Sequence, residues 1–172
     1  MAHTRAKASE HETDTSAGRV LLVDDQPEVR RVVRRNLAKA GYLVVEAWNG
    51  RIAIELARDS TFDLVISDVR MPDIDGFDLL AALHELDPNL PVVLTSGSPG
   101  PPGVVQTRML GAFAFLEKPV PFDTMRETAR RAVEQRRGQL EQEPFEPLAS
   151  LERLRVAPPT ESDDAPSDRD DD

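Results

Sequence analysis

The sequence predicts an α/β fold: a doubly wound, five-stranded parallel sheet with helices on both faces. Three observations carry that reading. Five short runs are apolar throughout instead of alternating, the pattern of strands covered on both sides. The stretches between them repeat apolar residues at helical spacing. Strand–helix–strand units of this length close into a parallel sheet through right-handed crossovers. Residues 19–137 accommodate five such pairs, and no solenoid repeat is visible.

Residues 1–18 mix Ala, Thr, Ser, Glu and His without periodicity and are expected to form a disordered leader. The first run, Arg19 to Val23, stops at Asp24-Asp25, and Pro27 then suits the first turn of a helix. From Pro27 to Ala40, Val29, Val32, Val33, Leu37 and Ala40 make one stripe. Arg30, Arg31, Arg34 and Arg35 take the other side, which reads as a solvated face, with partner docking as the alternative. Gly41 ends this helix. Leu43 to Ala47 is the second run; Asn49-Gly50 signals a turn, and Arg51 to Arg58 reads as a short helix. Asp63 to Ser67 is the third, ending at Asp68. The loop Met71 to Gly76 leads to a helix with Phe77, Leu80 and Leu83 on one side.

Pro91 to Leu94 is the fourth run, ending at Thr95. Three Pro and three Gly between Ser96 and Gly103 cannot sustain a helix interior, so the fourth helix is short, Val104 to Leu110. Ala112 to Leu116 is the fifth run, before Glu117-Lys118-Pro119. A last helix from Pro121 to about Arg137 presents Phe122, Met125, Ala129 and Ala132. Residues 138–172 are expected to be an acidic, mostly disordered tail. Leu148, Leu151, Leu154 and Val156 have the spacing of a short amphipathic helix near 147–156, a length marginal on its own in water.

The chain has 172 residues, no Cys, and 21 Lys+Arg against 31 Asp+Glu, a net charge of −10. Without Cys there is no disulfide, thiolate metal site or cysteine nucleophile. The acidity is concentrated in residues 138–172, with 3 basic and 11 acidic side chains; residues 19–137 hold 16 and 17. A nearly neutral centre with an acidic tail argues against sequence-independent binding to phosphate backbones. No run approaches the ~20 apolar residues of a membrane span, and the polar N-terminus lacks the core of a secretory signal. A reducing cytoplasm fits this composition.

The chemistry gathers where the runs end. In an open parallel sheet, sites form beyond the carboxyl ends of the strands. The first run ends at Asp24-Asp25, the third at Asp68, the fourth at Thr95 and the fifth at Lys118. Carboxylates ~4 Å apart repel by about 4 kcal/mol per pair at an effective dielectric near 20, so such a cluster calls for a raised pKa or a cation. Lys118 supplies one charge. A hard divalent ion supplies two more, and all-oxygen donors favour Mg2+ over zinc. This arrangement suits a phosphoryl group: a carboxylate as nucleophile, cations on the equatorial oxygens, and the Thr95 hydroxyl as donor. Asp68 is the nucleophile candidate because it follows the central strand; Asp24 and Asp25 are better placed to hold the metal.

Val-Asp-Asp at 23–25, Asp-Val-Arg-Met-Pro-Asp-Ile-Asp-Gly at 68–76, Thr95 and Glu-Lys-Pro at 117–119 together resemble the receiver domain of two-component response regulators. The resemblance covers residues 19 to about 137. It implies a flavodoxin-like sheet of order 2-1-3-4-5. It also implies that Asp68 is the phosphoacceptor, that Asp25, Asp68 and the Arg70 carbonyl bind Mg2+ directly, and that Asp24 reaches the ion through water. Thr95 corresponds to the hydroxyl that swings toward the phosphoryl group and Lys118 to its ion-pair partner. The Lys118-Pro119 bond is expected to be cis, Phe115 to be the aromatic switch, and Gly76 to close the loop after the third strand.

Plainer readings stand beside these. Asp24 and Asp25 are also good caps for the helix at Pro27, Asp68 a loop acid, Thr95 a strand-end β-former, Lys118 a surface charge and Phe115 a core residue. His3, His11 and His84 have no ligand spacing, and Trp48 has no assigned role. The expected function is a phosphorylation-dependent switch. A histidine kinase or histidine phosphotransfer protein donates the phosphoryl group to Asp68, and a downstream protein reads the change. The chain is expected to be no enzyme beyond its own aspartyl phosphorylation and dephosphorylation. The residues after Arg137 are too few and too acidic for a DNA reader, so no direct DNA binding and no membrane insertion are expected. A phosphate sink or shuttle, a constitutive receiver-fold scaffold, and a metal-dependent phosphohydrolase are the rivals. The last usually needs Asp-x-Asp, whereas Asp24 and Asp25 are adjacent. The Pro/Gly-rich stretch 97–103 is expected to be mobile and to preclude the dimer common among DNA-binding regulators.

Overall fold

The computed structural model describes residues 17–97 and 111–142. Five strands, β1 (Gly18–Val23), β2 (Tyr42–Ala47), β3 (Leu64–Asp68), β4 (Val92–Ser96) and β5 (Ala114–Glu117), form one sheet of order β2-β1-β3-β4-β5. Every pairing is parallel. The described helices are α1 (Pro27–Lys39), α2 (Gly50–Asp59), α3 (Gly76–Leu86) and α4 (Phe122–Gln142). Residues 1–16 of the expected leader, the short helix expected over 104–110, nearly all of the Pro/Gly-rich stretch and the short helix near 147–156 lie outside the described residues; Gly18, assigned to that leader, instead opens β1.

Strand alternation divides the core in two. Leu21, Val23, Val65, Val92 and Leu94 face α2 and α3, where Leu79, Leu80 and Leu83 meet them. Val20, Leu22, Leu64, Ile66 and Val93 face α1 and α4, against Leu37, Met125, Ala129, Ala132 and Val133. Burying each Leu or Val contributes about 1.5–3 kcal/mol, so packing on the sheet holds these helices more than helix propensity does.

Local signals start and stop the helices. Asn49 accepts a hydrogen bond from Ile52 N (2.9 Å), so Asn49-Gly50 is a helix cap, not a free-standing turn. Asp75 caps α3 by accepting from Phe77 N and Asp78 N. Gly41 ends α1 at φ 92°, a conformation that favours glycine.

Several sequence expectations need correction. β2 is an edge strand, and Leu43 is 55% exposed rather than covered on both faces. Phe122 and Val32, each 47% exposed, sit on the interior stripes of the sequence reading but stand at the surface. In α3, Leu79 is fully buried while Phe77 is only half-buried. α4 continues past Arg137 to Gln142. Arg136 is buried and paired with Asp87, fixing the helix near its C-terminal end. Arg130 pairs with both Glu127 (2.7 Å) and Glu134 (2.6 Å) along the exposed side. Such exposed pairs are screened by solvent and contribute little to stability. A Cβ at Gly138 would meet no atom within 4 Å, so no close contact requires glycine at that point of α4.

Candidate functional site

Strand register assembles the site. Val23 stands opposite Ser67, so Asp24 and Asp68 leave β1 and β3 at one level. Asp68 stands opposite Thr95, and Thr95 opposite Leu116. Two residues beyond Leu116, Lys118 N donates to Ser96 O (2.9 Å), which brings Lys118 back over the ends of the strands. The Lys118-Pro119 peptide is cis, as expected.

Lys118 joins the acids. Its Nζ lies 2.9 Å from Asp24 Oδ2 and 2.9 Å from Asp68 Oδ1. Asp24, Asp68 and Thr95 are all buried. Burial works against the Lys118 charge, but the hydrogen bonds to Asp24 and Asp68 outweigh it and hold its pKa above the ordinary lysine value. Lys118 is therefore an ammonium at neutral pH.

The remaining oxygens are partly committed. Asp24 Oδ1 accepts from Gln26 N (2.9 Å), so Asp24 shapes the turn before α1. It does not cap that helix: Gln26 is the N-cap and makes no side-chain cap bond. Asp68 Oδ2 accepts from Arg70 N at 3.1 Å. Thr95 Oγ1 donates to Ser67 O over 3.3 Å, a long bond that little holds in place. Phe115 is half-buried beside Leu94, the residue before Thr95, and packs toward the α2/α3 core. Asp25 is exposed, and no hydrogen bond or ion pair among the described residues holds its carboxylate.

Gly76 has a steric reason to be glycine. A Cβ there would lie 2.5 Å from Asp68 O and 2.8 Å from Val69 Cα. Its N–H donates to Val69 O at 2.8 Å, docking the start of α3 against the end of β3.

The donor set fits Mg2+. Asp24, Asp25, Asp68 and the Arg70 carbonyl offer only oxygen. Among the described residues no three acids or histidines converge as a closed metal cage. An ion that keeps several waters and takes one or two protein carboxylates does not need one.

Two features escaped the sequence. Arg30, assigned there to a solvated face, is largely buried, and its Nη1 donates to Asp24 O at 2.7 Å. The Ser67 hydroxyl donates to Asp68 O at 2.9 Å. Neither had a spacing signal, because both bonds go to main-chain atoms. Beside the site, a cavity of about 560 Å³ opens between α1 and α4. Val29, Val32, Phe122 and Met125 line it, with Asp24, Thr95 and Lys118 on its wall.

Residues 20–130 match the family model of the response regulator receiver domain. The C4-dicarboxylate transport transcriptional regulatory protein DctD of Pseudomonas aeruginosa is 44% identical over 123 residues, covering 71% of this chain and 26% of that protein. The two-component response regulator ARR18 of Arabidopsis thaliana is 36% identical over 151 residues, covering 87% of this chain and 21% of that protein. The chain thus spans about a quarter of the length of the curated relatives it matches. Among solved structures, chemotaxis protein CheY4 of Vibrio cholerae superposes with a TM-score of 0.63 at 33% identity, covering 66% of this chain and 97% of that one. NtrX of Brucella abortus superposes with a TM-score of 0.68 at 31% identity, covering 73% and 29%. No described helix is long and apolar enough to cross a membrane.

Proposed function

Because the chain belongs to the response regulator receiver family, we propose that Asp68 accepts a phosphoryl group from a phosphohistidine on a sensor kinase or histidine phosphotransfer protein. The observation that carries this reading is the Lys118 ammonium, 2.9 Å from both Asp24 and Asp68 at the carboxyl ends of the strands. Asp68 Oδ1 is held by that ammonium. Oδ2 accepts one backbone hydrogen bond and keeps lone pairs for attack.

In the transfer an Asp68 oxygen bonds to phosphorus as the P–N bond of the donor breaks. The departing ring nitrogen keeps the P–N electron pair; because the other ring nitrogen already carries a proton, the imidazole leaves neutral, and Asp68 becomes an acyl phosphate. Asp24, Asp25, Asp68 and the Arg70 carbonyl would hold Mg2+, which supplies charge neutralisation at the phosphoryl oxygens. Lys118 would stabilise the same oxygens. The Thr95 hydroxyl gives up its long bond to Ser67 O and donates to the phosphoryl group. That rotation shifts the end of β4, and Phe115, beside Leu94, responds. Phosphorylation favours one of two pre-existing conformations, with a coupling of about 1–3 kcal/mol. A protein partner reads the altered surface; the transcriptional roles in the relatives' names stay with those longer proteins.

The test is incubation with Mg2+ and acetyl phosphate, followed by intact mass. One phosphoryl group should be added to the wild type and none to Asp68→Asn. Addition to Asp68→Asn at the wild-type level would overturn the site assignment. Sustained hydrolysis of external phosphoesters would favour the phosphohydrolase reading.

A further inference from the structure

Arg30 sits on α1 among exposed arginines, yet its side chain is only 15% exposed. Its Nη1 donates to the main-chain oxygen of Asp24 at 2.7 Å. Its Nε lies 3.7 Å from Glu46 Oε1 on β2. Arg34 reaches the same glutamate, with Nε 3.6 Å from Oε2, but its side chain is 58% exposed and makes no hydrogen bond to Asp24.

The Asp24 carbonyl belongs to the peptide that joins Asp24 to Asp25. The Asp24 carboxylate has its own anchors, Gln26 N and Lys118 Nζ. The Asp25 carboxylate has none among the described residues, so the peptide plane behind it sets its direction. We infer that Arg30 is a positioning residue: anchored by Glu46, it fixes the Asp24–Asp25 peptide and so aims the Asp25 carboxylate at a divalent cation beside Asp24 and Asp68. This rests on the metal reading given above.

Charge alone predicts the opposite sign. A guanidinium near the acids repels a dication, so neutralising Arg30 should tighten metal binding if its charge were its only contribution. Positioning predicts weaker binding. Arg34 serves as the control, since it shares the helix, the charge and the glutamate without touching Asp24.

The experiment is calorimetric titration of the full chain with Mg2+ alone, without phosphodonor. Arg30→Met should weaken Mg2+ binding about tenfold, the low end for loss of a group that orients a metal ligand. Arg30→Lys should fall between Arg30→Met and wild type, and Arg34→Met should bind as tightly as wild type or more so. Wild-type or tighter affinity in Arg30→Met overturns the proposal while leaving the metal reading standing. Should Arg30→Met fail to fold, Arg30→Lys decides. It keeps the charge, so weaker binding supports positioning and unchanged binding overturns it. A wild-type chain that takes up no Mg2+ overturns the metal reading, and this proposal with it.

Discussion

Replacing Lys118 with Met removes the ammonium but keeps much of the side-chain volume. At 2.9 Å and an effective dielectric near 20, each Nζ–carboxylate attraction is about 6 kcal/mol before desolvation is charged against it. Removing one partner of a buried ion pair typically costs about 3–5 kcal/mol, because the other partner is left uncompensated. Here two carboxylates are left, on Asp24 and Asp68, both buried. Two effects moderate the loss. Lys118 is 24% exposed, so water can follow the ammonium out, and Gln26 N and Arg70 N each still donate to one of the acids. The expected destabilisation is therefore near the lower bound, about 3 kcal/mol. Urea unfolding in EDTA measures it. Saturating Mg2+ should then restore more stability to Lys118→Met than it adds to wild type, because the dication replaces the missing charge. Equal stability of the two proteins in EDTA would refute the electrostatic reasoning, and so would an equal gain from Mg2+ in both.

Gly76→Ala forces a Cβ to within 2.5 Å of Asp68 O, so β3 and α3 must separate. The cost should be about 1–3 kcal/mol, read as a lowered melting temperature together with slower acetyl phosphate labelling. Wild-type melting and labelling would show that the close approach is easily relieved. Thr95→Val keeps the shape and loses a 3.3 Å hydrogen bond, so stability should fall by no more than about 1 kcal/mol. Asp68 should still be labelled in Thr95→Val, but the phosphorylation-dependent change in hydrogen exchange around β4 and β5 should vanish; its persistence would remove Thr95 from the switch. Tyr42 is the chain's one tyrosine. Burial pushes its phenol above the usual value of 10.0, with Arg130 and Arg137 opposing. An ultraviolet titration should show a folded midpoint above the denatured one. The folded state holds its proton longer, so the Tyr42 contribution to stability is intact below pH 10.0 and is lost as pH rises through the folded pKa. Equal midpoints would contradict the burial.

The strand ends were legible because an apolar run that stops at an acid, a threonine or a lysine marks both the edge of the core and the place where ligands bind. Asp24, Asp68, Thr95 and Lys118 followed from that rule, and the structure gathers them in one buried place. What stayed hidden depends on neighbours distant in sequence. Leu43 reads as interior until the strand order puts β2 at an edge. Phe122 and Val32 fit interior stripes, yet they flank a cavity between two helices. Arg30 looks like its neighbours in sequence. Only its burial and its bond to the Asp24 carbonyl distinguish it. The glycine at 76 was visible as a loop end, but its reason, contact with the backbone of Asp68 itself, needed the packed structure.

Borohydride trapping tests most directly whether Asp68 is the phosphoacceptor. After labelling with acetyl phosphate and Mg2+, reduction converts a phosphorylated aspartate to homoserine, which peptide mapping can place in the chain. Homoserine at position 68 alone is the predicted result. Homoserine at Asp24 or Asp25, or none anywhere, would contradict it.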